Sequence, residues 1–175
     1  VECGSPYTDA GFTALDNCDG DISANIVVTG LPVDVNTPGT YQLLFNVSDS
    51  AGNAATQKGR QVKVVDTTAP VITLNGSSTV TVFVNGTYTE LGASATDSCD
   101  GNLSGSVVVG GASVNTSVAG TYVVTYNVSD GAGNHAAQKT RTVTVSPGNV
   151  PVITRLGSSS MTVECKGSFV DPGAT

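Results

Sequence analysis

Two short stretches, Asp16-Asn17-Cys18-Asp19-Gly20 and Asp97-Ser98-Cys99-Asp100-Gly101, carry the side chains best suited to chemistry. Each sets two carboxylates around a thiol and closes on glycine. Each is followed downstream by S-D-x-A-G-N. That adds Asp49 and Asn53 to the first set and Asp130 and Asn134 to the second. Carboxylate and amide oxygens at this density suit Ca²⁺, which takes roughly six to eight oxygen ligands. The phrase is not an EF-hand loop, because a cysteine stands where an oxygen ligand belongs. Asp, Asn and Gly also reverse the chain whatever else they do, so turn formation is the competing explanation.

The two phrases lie 81 positions apart, and so do many other landmarks: Tyr41 and Tyr122, Asp49 and Asp130, Asn53 and Asn134, Pro70 and Pro151. No gap is needed anywhere. Residues 163–175 (VECKGSFVDPGAT) then echo residues 1–13 (VECGSPYTDAGFT). Fixed-period self-similarity marks a tandem array, and 81 residues suit one small domain per period. The expected units are 1–66, lacking its first strand, 67–147, complete, and 148–175, the first strands of a third. The chain thus reads as a window on a longer string of such units.

Alternation of apolar residues predicts strands. YQLLFNVSD (41–49) puts Tyr41, Leu43, Phe45 and Val47 on one face, and YVVTYNVSD (122–130) does the same with Tyr122, Val124, Tyr126 and Val128. TVTVFV (79–84), VVV (107–109) and TRTVTV (140–145) also read as strands, with NG and DG turn signals between them. No helical stripe is present. The expected fold is all-β: tandem immunoglobulin-like β-sandwiches on an 81-residue repeat. PGTY (38–41) and AGTY (119–122) suit a tyrosine corner. In such a sandwich the D-x-C-D-G and S-D-x-A-G-N loops share one end, where the linker from the preceding unit arrives. Asp66 of that linker would join Asp97, Asp100, Asp130 and Asn134 as a Ca²⁺ site at the junction. Asp16, Asp19, Asp49 and Asn53 form the corresponding set in the first unit.

The phrases PVITLNG, D-x-x-D-G, AGTY and VSDGAGN resemble bacterial immunoglobulin-like repeats of surface adhesins, and are similar to the related hyalin repeats. The resemblance covers the whole chain. It implies stalks, spacers or adhesive modules at the cell surface or in the extracellular medium. The leading expectation is a structural, non-catalytic segment of a filament, stalk or adhesin. Its partners would be copies of itself or further repeats. In one variant, PVITRLGSSSMTV (151–163) lends its strand to the first unit of a neighbour. The rival class is a carbohydrate- or protein-binding accessory module of a secreted enzyme or adhesin, which would need an exposed aromatic platform.

The four cysteines fall on two repeat positions, Cys3 with Cys165 and Cys18 with Cys99. The simple pairing is Cys3–Cys18, worth roughly 3 kcal/mol for so short a loop. Cys99 would then be unpaired or linked to another chain, because Val84 replaces its mate. Cys165 would need a partner beyond residue 175. Paired thiols point to an oxidising compartment. Six N-x-S/T sequons, at Asn46, Asn75, Asn85, Asn102, Asn115 and Asn127, are candidate glycan acceptors. A net charge of −7 with seven basic residues opposes nucleic-acid binding. There is no apolar run of bilayer-spanning length. The single histidine, His135, reads as a solvated loop residue without a nucleophile motif.

Overall fold

A computed structural model of the chain describes residues 1–148 and 151–173. The first repeat holds β1 (Leu15–Asp16), β2 (Gly20–Asp21), β3 (Val27–Thr29), β4 (Gly39–Asn46) and β5 (Lys58–Val64). The second holds β6 (Val71–Leu74), β7 (Thr79–Phe83), β8 (Ala93–Asp97), β9 (Gly101–Asn102), β10 (Val108–Gly111), β11 (Gly120–Asn127) and β12 (Lys139–Ser146). Single 3₁₀ turns at Ser23–Asn25 and Ser104–Ser106 are the only helical segments among the described residues. None is long and apolar enough to cross a membrane.

The second repeat is a two-layer sandwich of immunoglobulin type. One sheet runs β6-β8-β9, the other β10-β11-β12-β7, with β7 parallel to β12 and every other pairing antiparallel. Period-two alternation aims Val124 and Tyr126 of β11 inward, against Ile72 of β6 and Ala95 of β8. The tyrosine corners form as expected: Tyr122 donates its hydroxyl to the Val118 carbonyl at 3.0 Å, and Tyr41 to Thr37 at 2.8 Å. β6 (VITL) was foreseen only as the first strand of a unit, and β8 (ASATD), poor in large apolar residues, escaped the sequence reading. They are legible only once each is seen to seal the other's edge.

The first repeat keeps the β3-β4-β5 sheet and a core of Cys3, Val33, Leu43, Phe45, Val62 and Val64. Only the last two positions of the β7 counterpart, Val1 and Glu2, fall within the sequence, and there Glu2 forms a parallel bridge with Val65. The counterpart of β8 contracts from five residues to the two of β1. In the second repeat β8 bonds along β6 from Val71↔Thr96 to Leu74↔Ala93, whereas the β6 position of the first repeat falls upstream of residue 1. A strand without a neighbour leaves its N–H and C=O groups to water.

Of the expected third repeat (148–175), the described residues 151–173 contain no strand and are exposed. Val152–Arg155 stand at the β6 position, but the counterpart of β8 would begin only at residue 174.

The expected Cys3–Cys18 bridge is corrected. Cys3 is bonded to Cys99, with Cα atoms 5.3 Å apart, and Cys18 and Cys165 are free and exposed. Residues 3 and 18 are near in sequence but sit at opposite ends of a sandwich. Cys3 adjoins the Glu2↔Val65 bridge, where β5 ends; Cys18 lies in the turn between β1 and β2. The matching turn of the second repeat meets Cys3 across the seam. Cys99 is therefore neither unpaired nor inter-chain.

Candidate metal centre

Three segments converge where the repeats meet: the linker after β5, the β8–β9 turn and the loop after β11. Glu2 anchors the linker from one side. Its carboxylate accepts from the Thr67 N–H (2.7 Å) and from the hydroxyls of Thr67 and Thr68 (both 2.9 Å). The Thr67 backbone bond, then those hydroxyls, hold the Glu2 carboxyl below its usual range against a smaller opposing effect of burial. Asn134 straps the linker from the other side, donating its amide to the carbonyls of Asp66 (3.3 Å) and Thr68 (3.4 Å) and to Asp130 (2.8 Å). Glu2 was missed in the sequence, since one glutamate near a terminus carries no pattern.

Asp66, Asp97 and Asp130 each bring a carboxylate oxygen within 4.8 Å of the other two. Asp97 is fixed by its own turn: one oxygen accepts from the N–H groups of Cys99 (2.7 Å) and Asp100 (3.0 Å). Its other oxygen, Oδ2, is buried and has no hydrogen-bond partner. That atom lacks the donor that burial normally demands. Asp130, itself 8% exposed, accepts from the Asn134 backbone N–H at 2.7 Å. Burial works to raise its carboxyl, but the bonds from Asn134, Gly133 and Ala132 together outweigh it and the net shift is downward. Asp66 goes the other way: burial raises it, and the facing Asp97, Asp130 and Asp100 carboxylates add to the rise against the Thr68 N–H. Like charges this close favour keeping one proton or binding a cation.

The sequence-derived set is thus only partly united. Asp100 belongs to a second group with Asp66 and Cys99, but that sulfur is bound in the disulfide and is no thiolate. Asp100 instead braces the two loops, accepting from the Gly131 N–H. Asn134 offers its nitrogen rather than an oxygen. In the first repeat, Asp16 and Asp49 are taken up by the same local turns, and Asp19 accepts from the N–H and hydroxyl of Ser50. Both groups of three among the described residues contain Asp66, so the linker is what makes the cluster.

At the second linker Phe83, Val84 and Pro147 stand where Glu2, Cys3 and Asp66 stand, so the glutamate anchor, the disulfide and the linker carboxylate are not repeated there. Ser129 Oγ approaches His135 Nδ1 at 2.6 Å, yet the first repeat makes the same bridge between Ser48 and Ala54. The hairpin, not chemistry, sets that approach. Of the sequon residues, Asn46 is half-buried and Asn75, Asn85, Asn102, Asn115 and Asn127 are exposed.

The sequence pattern of the family described as "Bacterial surface protein, Ig-like domain" matches residues 1–64 and 72–145. An uncharacterized 81.3 kDa protein of Acholeplasma phage L2 is 33% identical over 141 residues, which is 77% of this chain. The pesticidal crystal protein Cry22Aa of Bacillus thuringiensis is 32% identical over 139 residues, 75% of this chain. The chain spans 18% of the length of each of these two. Among solved structures, a lipoprotein of Bacteroides thetaiotaomicron superposes over 47% of this chain and 41% of its own, with a TM-score of 0.41 and 23% identity.

Proposed function

The chain belongs to the bacterial surface Ig-like domain family, and from that premise we propose that its two sandwiches are a non-catalytic spacer in an extracellular stalk, filament or adhesin. The observation that carries this reading is the seam. A disulfide, the Glu2 anchor and the Asn134 strap fasten one repeat to the next, and such fastening serves a module whose task is to keep its shape. The disulfide also suits an oxidising compartment. Further repeats, copies of the chain and surface glycans are the partners of such a spacer. A carbohydrate platform fits less well, because Tyr126 is in the core and the Tyr41 and Tyr122 hydroxyls are spent on backbone carbonyls. Antibodies raised against residues 1–147 should label intact cells of the source organism. Labelling only after permeabilisation would end the surface reading.

Within that role the carboxylates of Asp66, Asp97 and Asp130 hold a Ca²⁺ ion that locks the seam. The buried, unpartnered Asp97 Oδ2 is the atom that a cation would satisfy. Ca²⁺ at about 100 times its dissociation constant should stabilise the protein by roughly 2.7 kcal/mol over EDTA. The sign with pH follows from Asp66. Its folded carboxyl titrates above the unfolded one, so without metal its contribution is full at acid pH and is lost as pH rises through the folded value. Ca²⁺ needs the ionised form, so its effect should grow over that same interval. Asp66→Asn should remove most of it. Equal melting temperatures in Ca²⁺ and EDTA at neutral pH would exclude the ion.

A further inference from the structure

The second repeat leaves one flank of its core open, beside β10. A groove of about 390 Å³ lies there, lined among others by Tyr88, Glu90, Val109, Gly111, Val114 and Val124. Val109 pairs with the core residue Tyr126, and Gly111 with Val124, so both stand on the inward face of the sheet. Yet Val109 is 49% exposed. The local sequence accounts for the opening: Gly110, Ala112 and Ser113 stand where the first repeat has the larger Thr29, Leu31 and Pro32. The seam between repeats grips a different part of the module. On the first repeat its hydrogen bonds and its disulfide fall on Glu2, Cys3, Asn36 and the linker, none of them the counterpart of a groove residue.

β10 is also the edge of its sheet. The Ala112 N–H bonds to the Val123 carbonyl at 2.8 Å, so alternation along the ladder turns the N–H and C=O of Val109 outward. Nothing along this edge repels an added strand. Residues 101–129 hold no charged side chain, and Asn102 and Asn115 stand where the first repeat has Asp21 and Asp34. The groove contains one charge, Glu90. Its side chain is 28% exposed, whereas that of its counterpart Asp9 is 6% exposed. Glu90 Oε1 accepts from the Gly92 N–H (2.7 Å), the Tyr126 hydroxyl (2.6 Å) and Arg141. Oε2 accepts only from Tyr88 among the described residues, and a carboxylate oxygen has room for a further donor.

We propose that this edge binds an extended peptide of a partner protein, one that carries a lysine or arginine. The peptide adds to β10 as a strand, and alternate side chains point into the groove. The apolar stem of a basic residue lies along Val109, Val114 and Val124, and its charged end donates to Glu90 Oε2. The net charge of −7 favours the approach of a basic segment. The site is additional to the spacer role and separate from the carboxylates of the seam.

The probe is a short synthetic peptide of alternating threonine and valine with a central lysine, titrated into the full chain. It should bind and slow amide exchange at Val109. Norleucine in place of the lysine should weaken binding about 10-fold, the worth of one charge-assisted hydrogen bond. Glu90 stays intact in the test, because its loss also strands Arg141. Ala112→Leu places the first-repeat residue at an exposed position and should fill the groove. Val109→Pro removes an outward N–H at an edge, where proline is tolerated. Each should weaken binding at least about 10-fold while the melting temperature holds. No binding, or equal binding of the lysine and norleucine peptides, overturns the proposal, as does binding that both variants leave unchanged. A dimer seen by sedimentation that Val109→Pro abolishes, without peptide binding, assigns the edge to a second copy and overturns it equally.

Discussion

Pulled by its two ends with the Cys3–Cys99 bond intact, the chain should extend far less than its length allows. Tension entering at Val1 reaches Cys3 and crosses the disulfide to Cys99, 96 positions on. Everything between lies in a closed loop that bears no load: β1 to β5, the linker, and β6 to β8. Reduction opens the loop and should add about 300 Å of contour, at about 3.3–3.6 Å per residue. The same bond restrains the unfolded chain, and a loop of this size is worth roughly 4–5 kcal/mol in the chain-entropy model. Single-molecule extension with and without reductant reads the first quantity, and denaturation of Cys99→Ser reads the second. Equal contour lengths in the two states would show that the bond does not span the seam. For an extracellular spacer the consequence is direct: a stretched first repeat cannot unravel.

Glu90→Ala should be the most damaging single change in the second repeat. Arg141 is 1% exposed, and its charge is answered by Glu90, which also accepts from the Tyr126 hydroxyl at 2.6 Å and from Tyr88. Burial pushes the Tyr126 phenol upward, and the neighbouring carboxylate pushes it further. Burial likewise works to raise Glu90, but the two tyrosine hydroxyls, the Gly92 N–H and Arg141 bring its carboxyl below the usual range. Removing that carboxylate strands a buried cation. The expected cost is about 3 kcal/mol, the low end of such losses because Glu90 is itself 28% exposed. For a unit of this size that lowers the melting temperature by at least about 12 °C. The matched control is Asp9→Ala. Arg60 is 31% exposed, so water takes up its charge and the loss should be clearly smaller than that of Glu90→Ala. Equal losses in the two variants would contradict the difference in burial. Because the folded Glu90 carboxyl is depressed, its contribution is present above its unfolded value and fades as pH falls through the folded one.

This Arg–Glu–Tyr network was in principle legible beforehand. Tyr7, Asp9 and Arg60 recur as Tyr88, Glu90 and Arg141 at the same 81-residue offset as the acidic phrase. Nothing local signals that Arg141, in an alternating strand, turns inward. The carboxylates of the seam were easier, because turn residues announce their loops and an immunoglobulin-type sandwich gathers those loops at one end. Glu2 was not legible, since its partners Thr67 and Thr68 lie far along the chain and only the folded linker brings them to it.

The sequence alone determined the period, the all-β class, the inward faces of β4 and β11, and the tyrosine corners. Each of these is local: alternation and turn chemistry act over a few residues, and a repeat displays itself by identity. Tertiary structure alone decided which cysteines meet and which aspartates converge. Those outcomes depend on which ends of two sandwiches abut. Cys3 is nearer to Cys18 along the chain yet bonds to Cys99, because a strand carries its two ends to opposite poles of the module.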